Sequence, residues 1–132
     1  MIHLEESTAD ACRVKLETLE DCQSLASALA LILSHALPCS IGLVGTLGAG
    51  KTQFVKFFAQ SLGAHSEDVF SPTFVLIHPI GTIPEIFHID AYRIHDDDEF
   101  LELGIEELFE QPAISIVEWA DRFKACMPKK TL

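Results

Sequence analysis

Cys39-Ser40-Ile41-Gly42-Leu43-Val44-Gly45-Thr46-Leu47-Gly48-Ala49-Gly50-Lys51-Thr52 is the stretch that decides the fold. Its first six residues are a short, mostly apolar run stopped by Gly45, the pattern of a strand buried on both faces. The next eight satisfy G-x-x-x-x-G-K-[ST]. From Lys51 to Leu62, Phe54, Val55, Phe58, Ala59 and Leu62 form a helical stripe that ends at Gly63. Strand, glycine-rich loop and helix in direct succession are the context a phosphate-binding loop requires. The glycines let backbone amides turn in around phosphate oxygens, and the helix N-terminus adds partial positive charge. Lys51 then reaches the outer phosphates and Thr52 ligates Mg²⁺. Gly45, Thr46, Leu47, Gly48, Ala49, Gly50, Lys51 and Thr52 are therefore the expected nucleotide-binding residues. The plain alternative is a chance glycine-rich turn. With Gly at about 7% of residues, the pattern arises by chance in roughly a few chains per thousand of this length.

Upstream, Leu25, Leu29, Ile32, Leu33 and Ala36 follow the spacing of one helix face, with Thr18 and Asp21 as a start signal and Pro38 as a stop. Downstream, Phe74 to His78 and Glu85 to Ile89 read as two strands of a hairpin, separated by Pro79, Gly81 and Pro84. Asp97–Leu103 and Ile105–Glu110 read as short acidic helices broken at Gly104, and Ala113–Val117 as another buried strand. Alternation of helices and strands around one sheet predicts an α/β protein. The expected architecture is a P-loop NTPase-type three-layer fold, in which helices flank a mixed, mainly parallel central sheet. Residues 1–132 form one domain in this reading, and the tail 128–132 carries no interpretable pattern.

Composition narrows the function. The chain has 132 residues, 48% of them apolar, enough to bury a core. Nine Lys plus Arg against twenty Asp plus Glu give a net charge of −11, which argues against unaided binding to a nucleic-acid backbone. Eight of the acids lie in the fifteen residues from Asp96 to Glu110, which contain no Lys or Arg. A solvated helical face is the simpler reading of that run, a docking surface the other. Cys12, Cys22, Cys39 and Cys126 are widely spaced, without a C-x-x-C pair, and read as core thiols of a reduced, cytoplasmic protein. Acids at the N-terminus argue against a signal peptide, and the apolar stretch Leu25–Leu37 is too short to span a membrane.

Two mostly apolar strands end in a carboxylate: Ile86-Phe87-His88-Ile89-Asp90 and Ile114-Ser115-Ile116-Val117-Glu118. Ligands of open α/β sheets sit at the carboxyl ends of parallel strands, so either acid can face the nucleotide. One acid would serve Mg²⁺ and another the attacking water, and spacing does not assign the roles. Ser71-Pro72-Thr73-Phe74 lies where switch segments offer a hydroxyl to the γ-phosphate, although it is also an ordinary turn sequence. His88 reads as a hydrogen-bonded strand residue, Arg93 as a phosphate contact or a surface ion pair, and Trp119 as core packing.

Taken together, Gly48-Ala49-Gly50-Lys51-Thr52, Ser71-Pro72-Thr73-Phe74, His88-Ile89-Asp90-Ala91-Tyr92-Arg93, Glu102-Leu103-Gly104 and Glu118-Trp119 resemble the TsaE family in type, order and spacing. The resemblance runs from about Thr18 to Phe123. G-K-T is common to many ATPases, whereas S-P-T-F followed by H-x-D-x-Y-R and E-W is far more specific. The resemblance implies a small ATPase needed for N6-threonylcarbamoyladenosine at position 37 of tRNAs that read ANN codons. It further implies TsaD and TsaB as partners, tRNA reached only through their complex, and ATP and Mg²⁺ as substrate and cofactor. By residue, it implies Asp90 as the Mg²⁺-side acid, Thr73 as the switch hydroxyl, and Glu118 with Trp119 as part of the nucleotide site. Lys51, Thr73 and Glu118 are thus the expected catalytic residues, and Thr52 and Asp90 the metal-side ones. Thr46 stands where the family usually carries an acid. Family members also usually continue past the position of Leu132 into terminal strands, which this chain lacks.

Other classes fit less well. The chain contains no Asn and no Lys-x-Asp, the elements by which most GTPases read guanine, so adenine is preferred. A small-molecule kinase needs a lid and several arginines, and only Arg13, Arg93 and Arg122 are present. A sensor that binds nucleotide without hydrolysis is the third possibility. No arginine is evidently placed to act in cis, which predicts hydrolysis that is slow alone and stimulated by the partner complex.

Overall fold

A computed structural model describes residues 2–8, 10–69 and 76–132. The Ser71-Pro72-Thr73-Phe74 segment, with the switch hydroxyl expected of Thr73, lies outside the described residues. Among the described residues, six strands and four α-helices follow in the order β1 (His3–Ser7), β2 (Cys12–Lys15), α1 (Leu19–Leu33), β3 (Cys39–Leu43), α2 (Lys51–Ser61), β4 (Ile77–Ile80), β5 (Ile86–Asp90), α3 (Asp97–Glu102), α4 (Ile105–Glu110) and β6 (Ile114–Glu118). A 3-10 stretch, Ala120–Cys126, follows β6. The sheet order is β3-β6-β5-β4, with β3, β6 and β5 parallel and β4 antiparallel to β5. A mixed, mostly parallel α/β sheet is therefore present. The expected hairpin is β4–β5; Phe74 and Val75 lie outside the described residues, and β4 runs past His78 so that Pro79 lies within it. An edge strand tolerates proline because its missing N–H faces away from the ladder.

Period-two alternation divides the core between the two sheet faces. Ile86, Ile114 and Ile116 pack with Ala26 and Ala30 of α1 and with Val55, Phe58 and Ala59 of α2. Ile89 and Val117, from intervening positions, pack with Phe100, Ile105 and Phe123. Phe100 and Phe123 stack with ring centroids 4.7 Å apart. On α1 the expected stripe holds at Leu29 and Leu33, which pack against the cluster of Ile86, Ile114 and Ile116, but not throughout. Ala26 and Ala30 are buried, whereas Ile32 is 64% exposed and Ala36 lies beyond the helix. Residues 25–33 are apolar nearly all round, so periodicity alone does not select a face, and close packing against α2 selects the alanines. Ser27 and Ser61 hydrogen-bond between these helices, 2.8 Å apart.

The polar features are mostly helix ends. Thr18 caps α1 by accepting from the Asp21 amide at 3.1 Å, and Asp21 accepts in return from the Thr18 amide at 3.2 Å. Asp96 caps α3 through the Glu99 amide, and Asp97, Asp98 and Glu99 fill its first turn. Glu106 and Glu107 occupy the first turn of α4. Much of the acidic run thus complements helix dipoles. The tail carries structure after all: the Gly42 amide donates to Leu132 O at 2.8 Å and the Leu132 amide to Ser40 O at 3.0 Å, along the outer side of β3. Cys22, Cys39 and Cys126 are half-buried, and burial raises their thiol pKa values, but Cys12 is exposed on β2 and is not a core thiol. Among the described residues no helix is long and apolar enough to cross a membrane. Thr18→Ala removes one half of the reciprocal cap; it is expected to cost about 1 kcal/mol, a fall of about 4 °C in Tm by thermal melting.

Candidate nucleotide site

β6 lies between β3 and β5, and this order brings three strand ends together. Leu43, Glu118 and Asp90 form one row across the sheet, with Glu118 in register with both neighbours. From this row the chain enters the glycine-rich loop after β3, the segment 91–94 after β5, and Trp119 after β6. A cleft of about 390 Å³ opens there, lined by the loop, the first turn of α2, Asp90, Tyr92, Arg93, Glu118 and Trp119.

The loop is built for close backbone approach. Gly48 and Gly50 have φ of +81° and +98°, a left-handed conformation that a Cβ disfavours. Gly50 then begins α2 with no side-chain cap and no acid in the first turn, unlike α1, α3 and α4 with their acidic starts. Its first amides remain available to an anion, in the field of the helix dipole. Lys51 Nζ donates to Gly45 O and Thr46 O, both at 2.8 Å, and lies 4.0 Å from the centre of the Trp119 ring. Ammonium and indole face are therefore paired in a cation–π contact. The Ala49 amide closes the turn onto Thr46 O at 3.1 Å. The expected phosphate loop is thus gathered at one mouth, with Leu47, Gly48, Gly50, Lys51 and Thr52 lining the cleft and Gly45 and Thr46 holding Lys51 from behind.

Glu118 is only 3% exposed. Its carboxylate accepts from Thr52 Oγ1, 3.1 Å from Oε1 and 3.3 Å from Oε2, and it pairs with His88 Nε2 at 2.6 Å. Asp90 is half-buried and accepts from the Tyr92 amide at 2.9 Å; among the described residues no hydrogen bond links it to Thr52. Of the two carboxylates left open by the sequence, Glu118 is the one that touches the loop hydroxyl. The hydroxyl and both carboxylates are hard oxygen donors, a set suited to Mg²⁺, which takes one or two carboxylates and completes its shell with phosphate and water.

Trp119 is not simply core packing. It adopts φ +64°, ψ +32°, its amide donates to Leu43 O at 3.0 Å, and its ring meets Tyr92 at 5.1 Å between centroids. Arg122 also has a role that spacing does not reveal. Its guanidinium donates to the carbonyls of Ala91, Tyr92 and Ile94, so it clamps the segment that carries Tyr92 and Arg93 along the cleft. Arg93 lines the cleft and is exposed, so the chain does place an arginine at the site.

These features define an α/β protein whose glycine-rich strand–loop–helix unit faces two strand-end carboxylates. Residues 16–132 match the model of the family described as threonylcarbamoyl adenosine biosynthesis protein TsaE, and the chain belongs to that family. It is 41% identical over 92 residues to the tRNA threonylcarbamoyladenosine biosynthesis protein TsaE of Bacillus subtilis (strain 168), covering 68% of this chain and 56% of that protein. With the protein of the same name from Aquifex aeolicus (strain VF5) the identity is 41% over 117 residues, covering 86% and 80%. With that of Treponema pallidum (strain Nichols) it is 34% over 90 residues, covering 68% and 66%. The chain therefore spans between just over half and two thirds of the B. subtilis and T. pallidum proteins.

Arg122→Ala removes the clamp on segment 91–94. Expected is a loss of about 1 kcal/mol in stability together with faster amide exchange at Tyr92 and Ile94, read by hydrogen–deuterium exchange.

Proposed function

We propose that the chain is a Mg²⁺-dependent ATPase with a P-loop NTPase-type fold that serves N6-threonylcarbamoyladenosine formation on tRNA together with the TsaD–TsaB complex. The observation that carries this reading is the convergence of Lys51, Thr52, Glu118 and Asp90 on one cleft in a chain of the TsaE family. The loop amides and Lys51 would bind the phosphates. Mg²⁺, when bound, would neutralise charge on the β- and γ-phosphates. The Thr52–Glu118 contact supports Glu118 as the metal-side acid and leaves Asp90, its neighbour on β5, to orient the attacking water. That assignment moves the metal-side role from Asp90, where the family resemblance puts it, to Glu118.

Arg13 lies on the β1–β2 hairpin near Glu6, and Arg122 is committed to backbone carbonyls, so Arg93 is the guanidinium that lines the cleft. An exposed cation stabilises developing charge weakly, because water screens it, and covering the cleft lowers the local dielectric. Slow turnover alone and acceleration by TsaD–TsaB follow. The acidic surface of α3 and α4 also supports an indirect relation to tRNA, since an exposed run of carboxylates repels a phosphate backbone.

Trp119 fluorescence is expected to change on titration with ATP or ADP and much less with GTP. Phosphate release from Mg-ATP should be slow and should rise on adding TsaD–TsaB. Lys51→Ala is expected to weaken ATP binding about tenfold or more. Asp90→Ala and Glu118→Ala should lower kcat by about tenfold or more, with a smaller change in nucleotide affinity. Nucleotide binding with no phosphate release under either condition would favour the sensor reading. Unchanged modified nucleoside after depletion of the protein would refute the role in tRNA modification.

A further inference from the structure

His88 is the one fully buried ionisable side chain among the described residues. In the β5–β6 register it lies opposite Ile116, two residues before Glu118 and therefore on the same sheet face. Its ring reaches diagonally to Glu118, bringing Nε2 to 2.6 Å from Oε2. The other nitrogen, Nδ1, is also buried and has no hydrogen-bond partner among the described residues.

These contacts assign the tautomer. An ionised carboxylate only accepts, so Nε2 carries the proton and the partnerless Nδ1 is a bare lone pair. The opposite tautomer would set two acceptors 2.6 Å apart and leave an N–H buried without an acceptor, the costlier fault. Glu118 is thus held from both sides, by the His88 N–H on Oε2 and by the Thr52 hydroxyl, which is nearer Oε1. Without His88 the glutamate would keep freedom about its side-chain torsions and have one oxygen poorly satisfied in a buried place.

We propose that His88 is a positioning residue, whose Nε2–H fixes the Glu118 carboxylate with Oε1 turned to Thr52 and the cation position. The inference rests on the Mg²⁺-dependent nucleotide-binding reading above. Hydrogen-bond partners behind metal ligands typically contribute 10–100-fold to metal affinity, which sets the expected size of the effect.

The test compares the wild-type chain with His88→Leu, which keeps bulk without a donor, with His88→Gln, whose amide reaches the Nε2 position, and with His88→Asn, whose amide stops near Nδ1. ATP affinity is measured by calorimetry in EDTA and across a Mg²⁺ series, and folding by thermal melting. Expected is EDTA affinity within about threefold of wild type for all variants, with His88→Leu and His88→Asn needing roughly 10–100-fold more Mg²⁺ for the Mg²⁺-dependent gain. His88→Gln should return to within about fivefold of wild type. If His88→Leu fails to fold, the Gln–Asn comparison decides, because those two differ in reach by one methylene. Equal Mg²⁺ requirements in Gln and Asn, or in all variants and wild type, would overturn the positioning role alone. A wild-type chain that binds no ATP, or binds it without regard to Mg²⁺, would overturn the nucleotide-site reading and this inference with it.

Discussion

The buried carboxylate of Glu118 constrains more of this molecule than any other group. A charge taken out of water is tolerated only where hydrogen bonds replace its hydration, and each partner of Glu118 comes from a different element. Thr52 comes from the first turn of α2 and His88 from the middle of β5, while Glu118 itself ends β6. Seating α2 on the sheet and setting the β5–β6 register are therefore coupled to one side chain. A one-residue slip of β5 would turn His88 to the opposite face, against Phe100 and Phe123, and put Phe87 or Ile89 beside the carboxylate.

Charge is distributed along the same lines. Most acidic residues of α3 and α4 stand in the first turns (Asp97, Asp98, Glu99, Glu106 and Glu107), where dipoles offset their mutual repulsion, and no acid lies in the first turn of α2. An excess of eleven negative charges is compatible with the proposed binding of a polyanion, because the proposed site would use backbone amides, a helix end and Lys51 rather than a basic surface. Glu118 and Asp90 would oppose a phosphate by themselves. They would suit one bound with a divalent cation, which gives the proposed metal dependence an electrostatic reason.

Local features were legible in the sequence and non-local ones were not. The strand, loop and helix from Cys39 to Ser61 follow from short-range pattern, as do the α1 cap and the break at Gly104. Pattern does not mark the hairpin β1–β2, because HLEES does not alternate and CRVK, although it alternates, is only four residues long and mostly exposed. The partial mismatch on α1, at Ile32 and Ala36, has the opposite cause, an apolar circumference with too little contrast. Placing β6 between β3 and β5 cannot be read from spacing, and that order alone makes neighbours of Thr52, His88 and Glu118. Asp90 and Glu118 consequently looked interchangeable as strand-end acids, although only one contacts the loop hydroxyl.

Trp119 shows how a local departure from ideal backbone serves the same convergence. A non-glycine residue in the left-handed region costs about 1–2 kcal/mol, and a bulky aromatic has no side-chain hydrogen bond to offset it. The turn nevertheless lets the Trp119 amide bond to Leu43 O while the chain leaves β6 for the 3-10 stretch that carries Arg122. An extended Trp119 would continue the strand past the sheet edge and carry its indole away from Lys51 and Tyr92. The left-handed turn instead sets the ring against both and aims Arg122 back at the carbonyls of segment 91–94. One strained residue after the central acid thereby fixes two walls of the cleft, and relaxing it would disturb Lys51 and the Tyr92–Arg93 segment together.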